Sequence, residues 1–254
     1  MTSDRQDIVL GGYADLFKPE SEWRFGGFPT PDGFWEYREP GAVVIVRDGQ
    51  LRVTVPELTR GNTTMQFLDN AKHMYWSKRM VECPGDCLVT VDLEITARGH
   101  GTTPGDLYDG FVSVNLLDFA NGAAIDFFVS EDRLATVYAR LPFPGVPEPA
   151  EPGPAKYFCL FKEMEHPGGP GRRHSYRMLY DKPRRTLDWF IDGKLVNHEA
   201  DVPFIMDSFL VALGIMTEKD ISDGESVSCH GQGVTAEWSP VRISVERAEE
   251  EPSS

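Results

Sequence analysis

Along most of this chain apolar and polar residues alternate with a period of two. In 88–97 (LVTVDLEITA), Val89, Val91, Leu93, Ile95 and Ala97 alternate with Leu88, Thr90, Asp92, Glu94 and Thr96. That is the pattern of a strand with one face in a core and the other toward water. The same reading, supported by β-branched and aromatic residues, predicts strands over 42–46, 50–55, 74–80, 88–97, 110–117, 123–130, 134–140, 157–162, 175–181, 186–191, 209–216 and 241–247. Long helical periodicity is nearly absent. Asp48-Gly49 and Asp192-Gly193 have the positive-φ tolerance of tight hairpins, and the proline-rich 142–154 and 166–173 read as surface loops because strands continue on both sides. About a dozen short strands without an internal repeat predict one all-β domain, a two-sheet antiparallel sandwich over 15–247. Residues 1–14 form a lead-in and 248–254 an acidic tail.

Composition narrows the function classes. The 254 residues, 41% hydrophobic and 26% charged, suit one large globular sandwich. No apolar run approaches the roughly 18 residues of a membrane span. The start, MTSDRQDIVLGGYADLF, lacks the basic and apolar regions of a secretory signal, so a cytoplasmic location is expected. A net charge of −15, with no basic cluster larger than Arg172-Arg173 or Arg184-Arg185, argues against nucleic acid as a partner. Cys83, Cys87, Cys159 and Cys229 are expected as reduced thiols. Cys83 and Cys87 would need Cys229 and His230 to complete a zinc site, and that spacing lacks a second matched pair. No phosphate-binding glycine loop, nucleophile elbow or zinc-protease helix is present, so no cofactor and no metal are predicted. The expected partner is a small-molecule ligand or substrate, bound by a monomer or homodimer.

The segment 174–203, HSYRMLYDKPRRTLDWFIDGKLVNHEADVP, carries His174, Tyr176, Trp189, Asp192, Gly193 and Val196 in a hairpin of alternating aromatic residues closed by Asp-Gly. It resembles the hairpin of the laminarinase-like (family 16) glycoside hydrolases, within the concanavalin A-like lectin/glucanase group. The strand order over roughly 15–247 is similar as well: CLVTVDLEITARG resembles the strand before the active-site pair, and WSPVRISVERA the closing strand. The resemblance implies a concanavalin A-like jelly roll. The overall pattern also resembles an actinobacterial family of unknown function.

One departure from the hydrolases is informative. Their active strand carries Glu-x-Asp-x-x-Glu, or the same motif one residue shorter, with the two glutamates as nucleophile and acid/base. Here that strand reads Gly-Ala-Ala-Ile-Asp-Phe-Phe-Val-Ser over 122–130. Asp126 matches the central Asp, Ala124 replaces the first Glu, and Phe128 or Val129 replaces the second. Neither replacement can transfer a proton or attack an anomeric carbon.

The remaining candidates follow from strand parity. Asp126 is a candidate proton shuttle or, alternatively, a structural carboxylate. On the next strand Thr136, Tyr138 and Arg140 share one face, where Tyr138 could donate to an oxyanion and Arg140 hold a carboxylate, unless that face is simply solvated. Phe111, Ser113 and Asn115 take the place of sugar-stacking aromatics, and Phe128 lies beside them. Lys162, Glu218 and Lys219 fall at strand ends, where Lys and Glu more often form surface ion pairs. His230 sits in a glycine-rich loop, and with Phe111, Ser113, Asn115, Phe128, Thr136 and Lys162 it is expected among the substrate-binding residues. The reading is a cofactor-independent enzyme using the concave cleft on a small organic molecule by cyclase, isomerase or lyase chemistry, plausible in natural-product biosynthesis, with Asp126, Tyr138 and Arg140 as catalytic residues. The alternatives are a non-catalytic carbohydrate or metabolite binding module, or a glycoside hydrolase whose carboxylates come from Asp92 and Glu94 or Glu131.

Overall fold

The alternation read in 88–97 is realised in a computed structural model of the chain. Residues 5–30, 33–62, 70–142, 146, 157–202, 206–219, 223 and 225–247 are described. In chain order the strands are β1 (Arg5–Leu10), β2 (Trp23–Phe25), β3 (Gly27–Thr30), β4 (Gly33–Glu36), β5 (Val43–Arg47), β6 (Gln50–Val55), β7 (Gly61–Asn62), β8 (Asn70–Ser77), β9 (Val81–Glu82) and β10 (Cys87–His100). They continue with β11 (Phe111–Asp118), β12 (Ala123–Val129), β13 (Arg133–Arg140), β14 (Phe158–Glu165), β15 (His174–Asp181), β16 (Thr186–Ile191), β17 (Lys194–Glu199), β18 (Ser208–Met216), β19 (Gly233–Trp238) and β20 (Val241–Arg247).

Two antiparallel sheets pack face to face. The first runs β17-β16-β15-β10-β19-β6-β5, with β20 beside β10 and β1 beside β20. The second runs β14-β13-β12-β11-β18-β8-β2, with β7 on β8 and β9 on β18. Apolar side chains from both sheets meet in one core. Val89, Val91, Leu93, Ile95 and Ala97 of β10 face Val112, Val114 and Leu116 of β11 and Ile125 and Phe127 of β12 across it. The opposite face of β10 is wetter, with Asp92 paired to Arg177 and Glu94 near Arg173.

The lead-in contributes more than a tether. Arg5–Leu10 pairs along its whole length with the closing strand β20, burying Ile8 and Leu10 and exposing Val9. The return strand β17 and the strand β19 are also additional to the predicted set. Most of 142–154 and the whole of 248–254 lie outside the described residues.

The two sheets differ in how their far faces are treated. Strands β11, β12 and β18 are buried on both faces almost throughout, as is β13 after its first residue. The far face of the second sheet is therefore covered, and it forms an apolar cluster of its own that includes Met74, Trp76, Phe111, Phe128, Val137 and Met216. A strand covered on both sides loses its polar alternation. That loss explains why parity is hardest to read where the site lies.

Candidate functional site

Directly paired residues on neighbouring antiparallel strands project to the same face. The register from β14 to β8 therefore fixes the floor of this second face. One row crosses it as Phe161–Val137–Asp126–Asn115–Ala212–Trp76. The next row reads Glu163–Ala135–Phe128–Ser113–Gly214–Met74, and the row on the other side Cys159–Ala139–Ala124–Leu117–Leu210. Asp126 sits near the middle, in a floor made mostly of small side chains.

Rings stand along both sides of that floor and make it a trough. On one side Phe111 stacks on Phe128 (4.5 Å between centroids), Phe128 meets Phe161 (6.3 Å), and Tyr108 stacks on Phe161 (5.7 Å). On the other, Trp76 packs on Phe119 (4.7 Å) and Tyr37 (6.3 Å), and Tyr37 on Phe28 (5.6 Å). Gly214 lets its neighbours close over the floor: a Cβ there would lie 2.8 Å from Ser113 Oγ and 2.9 Å from Met74 Cε.

The polar groups on the floor are few. Asn115 Nδ2 donates to Ser113 Oγ (2.9 Å) and to the Ala212 carbonyl (3.2 Å). Asp126 is only 4% exposed, and its buried Oδ1 has no hydrogen-bond partner. Burial pushes its carboxyl well above the usual range; nearby Glu218 adds to the rise and Lys72 opposes it. The half-buried Glu218 follows β18, and its carboxyl is also raised by burial, with Lys72 pulling it back. Lys72 lies cross-strand from Met216 and over the Tyr37 ring at 5.0 Å. Burial, and then Asp126 and Glu218, push the Cys159 thiol up to about 11, so it stays a thiol at neutral pH.

Two tryptophans of the first sheet reach through the core to hold this floor. Trp189 Nε1 donates to the main-chain carbonyl of Asp126 (3.2 Å), and Trp238 Nε1 to that of Ser113 (3.3 Å). Trp189 belongs to the hairpin that carried the sequence resemblance. Its strand is thus tied directly to the segment bearing Asp126.

Several sequence expectations meet here and others do not. Phe111, Ser113, Asn115, Asp126 and Phe128 share the trough face. Thr136, Tyr138 and Arg140 do not: they pair with Phe127, Ile125 and Ala123, so they project to the other side. Tyr138 fills the core against Phe158, Thr136 Oγ1 accepts from Asn197 Nδ2, and Arg140 Nε donates to the Asn121 carbonyl. The trough takes the small set Ala135, Val137 and Ala139 from that strand instead, and bulky polar residues there would fill it. Lys162 pairs with Thr136, also away from Asp126, and its ammonium donates to Asn197 Oδ1 (2.9 Å). His230 lies outside the floor and contacts Asp109.

Asp92 and Glu94 lie on the outer face of the first sheet and Glu131 in the exposed β12–β13 turn, so none adds a carboxylate to the floor. Ala124 and Phe128 face the trough whereas Val129 faces the core, so of the two residues offered for the second glutamate position Phe128 is the one on the face of Asp126. Cys83 and Cys87 lie at the start of β10, while Gly233, three residues past His230, pairs with its last residue, His100. A strand of that length spans roughly 40 Å, too far for one zinc site. Among the described residues no other group of three or more His, Cys, Asp or Glu is placed to hold a metal.

Sequence reasoning left Lys72 and Tyr108 outside the site and weighed Glu218 only as a strand-end residue, more often part of a surface ion pair. For Lys72 a signal existed, because a period of two in NAKHMYW puts Lys72, Met74 and Trp76 on one face. Glu218 and Tyr108 lie outside regular strands, where parity is silent.

A family model described as "Family of unknown function (DUF6081)" matches residues 14–247. No curated protein matches the sequence. Among solved structures, the chain is similar to an endo-1,3-β-glucanase from Streptomyces sioyaensis (TM-score 0.55, 13% identity, 89% of this chain and 90% of that one). It is similar to the Bacillus licheniformis β-glucanase (TM-score 0.55, 11% identity, 93% and 97% covered). A prokaryotic β-1,3-1,4-glucanase from a mouse hindgut metagenome gives a TM-score of 0.51 at 11% identity, with 96% and 99% covered. The jelly roll expected from the hairpin is therefore the fold of this chain. Identities this low carry the fold alone.

Proposed function

The chain belongs to that family of unknown function, and we propose that its trough performs proton-transfer chemistry, of the isomerase, cyclase or lyase kind, on a small and mostly apolar molecule. Asp126 supplies the proton and Glu218 is the complementary base. The observation that carries this reading is the partnerless Oδ1 of Asp126 on a floor walled by rings. Buried polar atoms are almost always hydrogen-bonded, and an unsatisfied one costs about 1–3 kcal/mol. A structural carboxylate would have partners. A carboxyl kept neutral in an apolar site, with one oxygen unpaired, is a donor for an acceptor on a ligand.

The two carboxyls are perturbed in the same direction. Burial raises both, Glu218 adds to the rise at Asp126, and Lys72 favours ionisation at each. Two carboxyls that repel each other do not both ionise readily, and on this reading the proton stays on Asp126, which is raised well above the ordinary value. Such a pair is the usual basis of an acid and a base at one site. The fold family's sugar chemistry is disfavoured, because Ala124 and Phe128 occupy the positions that would hold the two glutamates.

The aromatic walls support a second reading, capture of a metabolite or carbohydrate without turnover. One experiment addresses both. Carboxyl carbons of Asp126 and Glu218 are followed by NMR across the pH range, and a small-molecule collection is screened by thermal shift with product analysis of the hits. The proton-transfer reading expects Asp126 to titrate well above the ordinary aspartate value. It also expects conversion of a hit to be lost in Asp126→Asn and kept in Tyr138→Phe. An Asp126 signal titrating at the ordinary aspartate value rejects that reading, and binding without conversion supports capture.

A further inference from the structure

Tyr108 and Glu218 reach the trough from segments outside the strands, so something other than sheet pairing must fix them. Tyr108 lies in the 3₁₀ turn Leu107–Asp109, between β10 and β11, and Glu218 two residues beyond β18. The Glu218 N–H donates to the Tyr108 carbonyl (3.1 Å) and ties the two together. Behind that tie lies a fully buried carboxyl, Asp109. Its Oδ1 accepts from Lys219 Nζ (2.9 Å) and pairs with His230 Nε2 (2.7 Å), and its Oδ2 accepts from Thr103 N–H (2.7 Å). Lys219 Nζ also reaches Asp106 Oδ2 (2.9 Å), and Asp106 Oδ1 caps Tyr108 N–H (3.0 Å).

Each trough residue thus has a chain neighbour in this cluster: Asp109 follows Tyr108, and Lys219 follows Glu218. Successive side chains of an extended segment point to opposite sides. Anchoring Lys219 on Asp109 therefore turns Glu218 the other way, toward Lys72 and Asp126. We infer that Asp109, Lys219 and His230 are positioning residues, a latch that sets Tyr108 and Glu218 at the trough. The inference rests on the reading of the trough as the working site. Burial alone would raise the Asp109 carboxyl; the hydrogen bonds from Lys219, His230 and Thr103 overcome that and hold it at about 2. The latch is then closed at any pH where the protein is folded and Lys219 is charged.

The full chain, labelled at carboxyl carbons and aromatic rings, tests this without a ligand. The titration of Glu218 and the ring-to-ring contact of Tyr108 with Phe161 are measured in the parent chain, Lys219→Met, Lys219→Arg and His230→Gln. Lys219→Met is expected to stay folded, to lose the Tyr108–Phe161 contact, and to shift the Glu218 titration down toward the ordinary glutamate value as the segment opens to water. Lys219→Arg is expected to restore both. Unchanged signals in a folded Lys219→Met overturn the assignment. Loss of the fold in both Lys219→Met and His230→Gln also overturns it, since the cluster would then serve folding alone. An ordinary Asp126 titration in the parent chain rejects the trough reading instead, and the ring contact still reports on the latch.

Discussion

Replacing Asp126 by asparagine is expected to stabilise the protein at neutral pH. In the fold Asp126 is buried, and its Oδ1 is unbonded. Burial, and then Glu218, raises its carboxyl well above the ordinary value of 3.8. The unfolded chain releases the proton near that ordinary value, whereas the folded chain keeps it to higher pH. Between the two values the folded state binds more protons, so stability falls as pH rises, by about 1.4 kcal/mol for each pH unit inside that window. Above the folded value the loss is complete and constant. The amide of the Asp126→Asn variant has no such proton to keep, so the advantage of the variant grows with pH through the window and then levels off. At pH 7 the expected gain is that slope multiplied by the part of the window lying below pH 7. Urea unfolding of both chains at a series of pH values from about 4 to 7.5 measures it. A variant less stable than the parent at pH 7, or a difference that does not change with pH, refutes the reasoning. Stability gained together with activity lost is what a site held at the expense of the fold would show.

Three further outcomes follow. His73 is buried and brought down to about 4, mainly by burial and further by Arg38, so it stays neutral in the fold while the unfolded chain takes up a proton below about 6.5. Stability should therefore fall as pH drops from about 6.5 to about 4, by roughly 3 kcal/mol in total, and urea unfolding should show a shallower fall in His73→Gln. Trp189→Phe removes the hydrogen bond to the Asp126 carbonyl, and a loss of about 1–2 kcal/mol is expected in urea unfolding, with a shifted Asp126 titration as the sign that the floor has moved. Gly214→Ala forces a methyl against Ser113 Oγ and Met74 Cε, so about 1–3 kcal/mol of stability and the binding of any trough ligand should both be lost, read by unfolding and by thermal shift.

The fold is legible in the sequence because its first sheet has a wet face. Along β10 every second residue from Val89 to Ala97 is buried, and the Asp192-Gly193 turn places both residues at positive φ as its sequence demands. Those signals are local. In the second sheet, β13 reads RLATVYAR and is buried on both sides after its first residue, so two parities compete. Polar character favours Thr136, Tyr138 and Arg140 as the site face. Packing decides otherwise, because the core has room for the Tyr138 ring while the trough floor requires alanines. Ser113, Asn115 and Asp126 are legible as one face since their strand neighbours, Val112, Val114, Ile125 and Phe127, are large and apolar and belong to the core. Glu218 and Tyr108 are not legible this way: their placement depends on a latch whose members are separated by more than a hundred residues.

The chemistry proposed for Asp126 follows from its neighbours, not from its own identity. In the family 16 pattern that the hairpin resembles, an aspartate at this place stands between two glutamates, and three carboxyls on one strand face must share protons because like charges that close cannot all ionise. Here Ala124 and Phe128 occupy the flanking positions, so no like charge lies beside Asp126 along its strand. What remains is desolvation by the ring walls, together with Glu218 and Lys72, which arrive from other segments. On the proposed reading Asp126 is then a single acid, and its base, Glu218, comes from another segment. Bond cleavage at an anomeric carbon needs two carboxyls on opposite sides of that bond, one of them beside the carbon. Moving a proton within an apolar molecule needs one donor, one acceptor and dry walls, the arrangement proposed for Asp126, Glu218 and the rings around them.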